Sequence, residues 1–145
     1  MILNQSFNFW QKWLTYANVM AIMVGILAAF AGDSIVFSLH NGYTNEVFFN
    51  GNGLSNEVLL LKKWLFGVIG GTIVGFHVLM VFISEIAFKN KEPWAYKAMW
   101  SGLLSWFIID SSLSIYFGAI HNVIIINAVA FLLIGLPLLM TKKSF

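Results

Sequence analysis

Four long apolar stretches separated by short polar ones leave this 145-residue chain little choice of fold. Crossing the hydrocarbon of a bilayer takes roughly 20 apolar residues in a helix. The stretches at 13–32, 64–84, 94–117 and 123–140 each come close to that length. In lipid, every backbone polar group has to be satisfied inside the spanning structure, so such stretches are read as helices. The sequence therefore predicts an all-α integral membrane protein, a four-transmembrane-helix antiparallel bundle in contact with the lipid bilayer. Composition supports this: 59% of the residues are hydrophobic and 10% charged, where a soluble domain carries about 25% charged residues. A soluble domain of this size has no polar surface to spare for such a sequence.

The first stretch has two candidate ends, Gly32 and His40, because Ser34 to Leu39 is again apolar. Its start is not that of a cleavable leader. Met1 to Lys12 is polar and aromatic, and the apolar run exceeds the roughly 7–15 residues of a leader's core, so the helix is expected to stay. Trp10, Trp13, Trp64 and Trp94 stand at proposed helix starts, where indole rings favour the headgroup zone. Residues 41–57 are expected to form an exposed outer loop, since 41–56 holds five asparagines and three glycines. The link 118–122 is so short that the last two helices must be antiparallel neighbours. Lys12, Lys89, Lys91, Lys97, Lys142 and Lys143 fall on one side of a four-helix topology, and Lys62 and Lys63 on the other. That bias predicts cytoplasmic termini, in a plasma membrane of bacterial type.

Small residues mark where lipid-embedded helices approach closely. Gly67, Gly71 and Gly75 recur every four residues in the second helix, and Ala17, Ala21, Gly25 and Ala29 do so in the first. These stripes are expected to pack on each other, or on a second copy in a homodimer or larger membrane complex. One further step of four reaches Asp33.

Ionisable groups inside a span cost several kcal/mol and turn toward the bundle interior. Asp110 is the clearest, about 24 Å along the third helix from its cytoplasmic start at 1.5 Å per residue. Ser114 follows one turn later, beside Ser111 and Ser112. Asp33 and Asn127 lie near the outer ends of their helices, His121 lies at the start of the fourth, and His77 sits close to mid-membrane. The expected site is an outward-facing polar pocket built from Asp110, His77, Asp33, Asn127 and Ser114, with Asp110 at its base. The inner half, with Asn18 and the boundary residue Glu85, is expected to hold no such convergence.

Several chemistries are excluded or weakened. No cysteine is present, so thiol redox and thiolate metal sites are absent. There is no HExxH helix and no basic patch suited to nucleic acid. Asp33, His77, Asp110 and His121 are suitable metal ligands by type, but no two share a motif, and no metal site or cofactor is specified. Three functions remain: binding or transport of a small solute, cation or proton; an accessory role in a membrane complex; and an enzyme using Asp110 and His77 as acid and base. Transport predicts a polar path below His77, an accessory role predicts a bare small-residue face, and catalysis predicts His77 within reach of Asp110.

Overall fold

A computed structural model describes residues 2–145, with side chains from Ser6 onward. Four helices are long and apolar enough to cross a membrane, and the described residues contain no strand. The chain is an all-α integral membrane protein. Its spans lie in α1 (Ile2–Ala31), α3 (Asn56–Phe88), α4 (Pro93–Tyr116) and α5 (Ile120–Ser144). Between the first two spans, a 3-10 turn (Ile35–Phe37) leads into a shorter helix, α2 (Ser38–Phe49). Both ends of the chain meet at one end of the bundle, where Phe7 and Phe145 rings are 6.0 Å apart. This is the terminal end; α2 covers the opposite, cap end.

Local chemistry sets the boundaries. The Ser55 hydroxyl accepts from Val58 N–H and caps α3, with Glu57 in the first turn to oppose the helix dipole. Pro93 opens α4, where its missing N–H costs nothing. Asn50 in the left-handed region closes α2, followed by Gly51 at φ +71°. Gly118 at φ +75° makes the tight link between α4 and α5, a conformation that a side chain would strain.

Around the bundle the order is α3–α1–α5–α4, so each main contact joins antiparallel neighbours. The ring closes between α4 and α3 at the terminal end, and higher up Phe76 reaches Gly102, whose added Cβ would lie 3.3 Å from the ring. The apolar core is concentrated at the terminal end: Phe7, Leu14, Phe88, Met99, Leu103 and Leu138 are among its buried members. Phe145 folds back onto Phe88 and Tyr96, at 4.8 and 4.9 Å between centroids. Trp13 donates its indole N–H to the Leu133 carbonyl at 3.1 Å, tying α1 to α5.

Toward the cap, α1 and α3 approach backbone to backbone. A Cβ added at Gly70 would overlap the Gly25 carbonyl oxygen and come within 2.6 Å of Ala29 N. Of the two expected small-residue stripes, the one on α1 therefore takes part in this contact through Gly25 and Ala29. The one on α3 does not: a Cβ at Gly67, Gly71 or Gly75 meets nothing within 4 Å. The face of α3 that meets Gly25 is Gly70, Ile73 and Val74, rotated away from the glycine repeat. Residues 38–49 also differ from expectation, since most of the anticipated loop is the helix α2. Its half-buried residues include His40, Asn41, Thr44 and Asn45, while Leu39, Tyr43, Val47 and Phe48 are exposed. Helix α2 thus turns its polar side inward.

Candidate functional site

The polar residues gather in four places. The first is the α4–α5 hairpin near the cap. Asp110 Oδ1 accepts from Asn127 Nδ2 at 2.7 Å, Asn122 Nδ2 at 2.8 Å and Ser114 Oγ at 3.3 Å. Asn127, fully buried, also donates to Ser111 Oγ at 3.0 Å, and Asn122 to Ser114 Oγ at 2.9 Å. Among the described residues no donor reaches Asp110 Oδ2. The geometry depends on a π-helical turn at Val123–Asn127. The wider turn adds residues to the circuit and sets where the Asn127 amide points, a device that recurs at functional positions.

The second place is mid-span between α1 and α3. His77 Nδ1 lies 2.7 Å from Asn18 Oδ1, and Asn18 Nδ2 donates to the Leu14 carbonyl at 2.8 Å. Since the amide nitrogen is committed to Leu14, Oδ1 is the acceptor and His77 carries its proton on Nδ1. The pair brings a buried asparagine and the histidine to one point on the α1–α3 interface.

The third place is the terminal end of the same interface. A second π-helical turn, Ser84–Phe88, lets the Ser84 carbonyl accept both from Lys89 N–H and from Gln11 Nε2, each at 3.2 Å. Glu85 Oε1 accepts from Thr15 Oγ1 at 2.8 Å and from Gln11 Nε2 at 2.9 Å, and Thr15 Oγ1 sits 2.8 Å from Ser84 Oγ. Lys89 adds an ion pair to Glu85 at 3.7 Å. The expectation that this half holds no polar convergence is corrected here. Gln11 and Thr15 come from α1, whose start reads as an interface segment, and the π turn re-phases Ser84 and Glu85 toward them.

The fourth place is the cap. Thr44 Oγ1 lies 3.5 Å from His40 Nε2 and 3.2 Å from His121 Nε2, and Asn41 Nδ2 donates to the Gly32 carbonyl at 2.8 Å. Burial, then the neighbouring His121 and then Lys62, hold the His40 pKa below its ordinary value. Asp33 pairs with Lys62 at 3.0 Å and with Lys63 at 3.8 Å. A cavity of about 420 Å³ opens beside that ion pair, between Ala28–Ser34 of the α1 end and Lys62, Lys63 and Phe66 of α3. All five buried side-chain polar atoms that lack a partner lie in the cap half: Ser34 Oγ, His40 Nδ1, Asn41 Oδ1, Asn45 Oδ1 and Asn127 Oδ1.

Of the five residues expected to share one pocket, the structure joins Asp110, Ser114 and Asn127. His77 and Asp33 take other partners, Asn18 and the lysine pair, on the α1–α3 side. Asn122, His40 and Thr44 belong to the polar network and were not anticipated as members. A signal for Asn122 was present in the tightness of the 118–122 link, which folds it back beside Asp110. For His40 and Thr44 the signal was their i, i+4 spacing, legible only once 38–49 is taken as a helix. Among the described residues no three His, Asp or Glu side chains converge as a metal-ligand set.

Comparison with protein-family models, with curated proteins and with solved structures returns no match. The class defined by fold and site is a four-span membrane protein with a hydrogen-bonded polar layer under an inverted amphipathic cap helix.

Proposed function

We propose that this protein binds a small polar or cationic solute at its cap end, with Asp110 as the fixed carboxylate. The observation that carries this reading is the collection of unpartnered buried polar atoms there. Buried polar groups without partners cost roughly 1–3 kcal/mol each, and such groups ask for an explanation such as an ion, a water or a ligand. Asn127 is the sharpest case. Its amide nitrogen is committed to Asp110 and Ser111, while its carbonyl oxygen, fully buried, has no donor. Asn41 and Asn45 offer further amide oxygens from α2. With the lysine bias placing the termini in the cytoplasm, the cap faces outward.

Carboxyl-sensitive infrared difference spectra, recorded on the purified protein and on Asp110→Asn as solutes are added, test the reading. A solute-dependent shift of the Asp110 band, absent from the variant, is the expected result. A band that no cation, amine or polyol moves, with Asp110→Asn folding as the parent does, assigns Asp110 to holding α4 on α5 and ends the proposal. Transport would need more: a path through the lower bundle. The His77–Asn18 pair and the Thr15–Ser84–Glu85 group are its polar steps.

A second reading rests on the uncovered glycine face of α3. Close backbone approach through small residues drives helix association in lipid, and Gly67, Gly71 and Gly75 offer such a surface with nothing on it. An accessory protein that docks this face on another span, or on a second copy, accounts for it. Intact-mass measurement from nanodiscs with and without Gly71→Leu reads the homodimer case directly. The enzyme reading loses its support, since His77 and Asp110 hydrogen-bond to Asn18 and to the hairpin amides rather than to each other.

A further inference from the structure

His40 and His121 come from segments far apart in sequence, yet their ring centroids lie 5.2 Å apart. Both rings address one atom with the same nitrogen: His40 Nε2 and His121 Nε2 are 3.5 and 3.2 Å from Thr44 Oγ1. Tyr43 stacks on His121 at 5.6 Å and fixes the plane of that ring. His40 and Thr44 are one turn apart on the inward side of α2, while His121 opens α5, so two elements contribute. The hydroxyl carries a single proton and satisfies the two nitrogens only by donating to one and accepting from the other.

Such convergence is what a metal ion asks of imidazoles. The rings must be neutral, and their lone pairs must aim at one point about 2 Å from each nitrogen. His40 meets the first condition near neutral pH, because burial, His121 and Lys62 hold it unprotonated. Lys62 is the nearby cation, and Asp33 pairs with it at 3.0 Å. Two imidazoles with a hydroxyl suit zinc, copper(II) or nickel(II), whereas calcium and magnesium take shells of oxygen.

The geometry points to a divalent transition-metal site at the cap, held by His40 Nε2 and His121 Nε2, with Thr44 Oγ1 and water completing the shell. A metal there ties α2 to the start of α5. The site is separate from the solute reading and stands without it.

Full-length protein without a histidine tag, in nanodiscs, is titrated with Zn²⁺ alone against a chromophoric chelator. One ion per chain is expected, with binding lost in His40→Ala and in His121→Ala. Binding is kept in His77→Ala, whose ring sits at mid-span against Asn18. Copper(II) electron paramagnetic resonance on the unmutated protein needs no variant to fold, and is expected to show splitting from two imidazole nitrogens. Absence of stoichiometric binding, binding that survives both cap variants, loss in His77→Ala, or a spectrum with fewer than two imidazoles overturns the site.

Discussion

Gly70 and Gly71 are neighbours on one helix, and the structure predicts opposite responses to the same added methyl group. At Gly70 the new Cβ overlaps the Gly25 carbonyl oxygen and stands 2.6 Å from Ala29 N and 2.8 Å from Ala29 Cβ. None of these is the far end of a flexible side chain, so α1 and α3 must separate. Overpacking costs about 1–3 kcal/mol, and a clash with backbone belongs at the upper end of that range. At Gly71 the same atom meets nothing within 4 Å, and a surface change of this kind stays within about 0.5 kcal/mol. Reversible unfolding of monomeric protein in mixed micelles, by titration with a denaturing detergent, measures both. Gly70→Ala is expected to be less stable than the parent by about 3 kcal/mol, and Gly71→Ala to match the parent. Equal losses at the two positions, or a larger loss at Gly71, would refute the assignment of the α1–α3 contact face. If Gly71→Ala leaves the monomer unchanged but weakens self-association in nanodiscs, the uncovered glycine face gains a function as a docking surface.

Three further outcomes follow from the hydrogen-bond networks. Asn127→Leu removes two bonds from the α4–α5 hairpin and is expected to cost about 1–3 kcal/mol in the same unfolding assay, with Ser112→Ala, at an exposed neighbouring position, as the neutral control. Asn18→Leu strands His77 Nδ1 at a comparable cost of about 1–3 kcal/mol. Adding His77→Phe should recover most of it, because replacing both partners by apolar groups leaves nothing unsatisfied; a double variant as unstable as the single would show that the pair is not the source of the loss. His40 has a folded-state pKa below its ordinary 6.5, so the unfolded chain binds the extra proton. Its contribution to stability is complete above pH 6.5 and declines as pH falls from there toward the lowered folded value. Amide hydrogen exchange across α2 at falling pH should show protection fading over that window, and His40→Gln should flatten the profile.

The spans were legible because length and apolarity alone decide them, and lipid leaves no competing architecture. The faces were not. On α3, Gly67, Gly71 and Gly75 make the more regular pattern, but the choice of Gly70 depends on the shape of α1, where Gly25 and Ala29 leave room for a bare backbone. Helix α2 escaped notice because its asparagines and glycines carry turn chemistry, and because it reverses the usual rule by burying His40, Asn41 and Thr44 beneath Leu39, Tyr43 and Phe48. Asp110, Ser114 and Asn127 were correctly marked as polar residues near one end of the bundle. Their separation from His77 and Asp33 follows from which helices pair, a fact that no single helix encodes.

The two π turns bear on how this sequence tolerates change in length. Each widened turn holds about one residue more than an α-helical turn would, and each sits where a polar network is assembled, at Ser84–Phe88 and Val123–Asn127. Deleting one residue there would let the ladder relax to regular α-helix and rotate everything beyond it by about 100°. For α5, such a rotation would take Asn127 off Asp110 or carry Leu138 out of the core. Point substitutions in these segments leave the angular phase of the helix intact, whereas a single-codon deletion would erase it. A deletion scan through α3 and α5 should therefore show two narrow intolerant windows centred on the π turns, set within spans whose lipid-facing residues exchange freely.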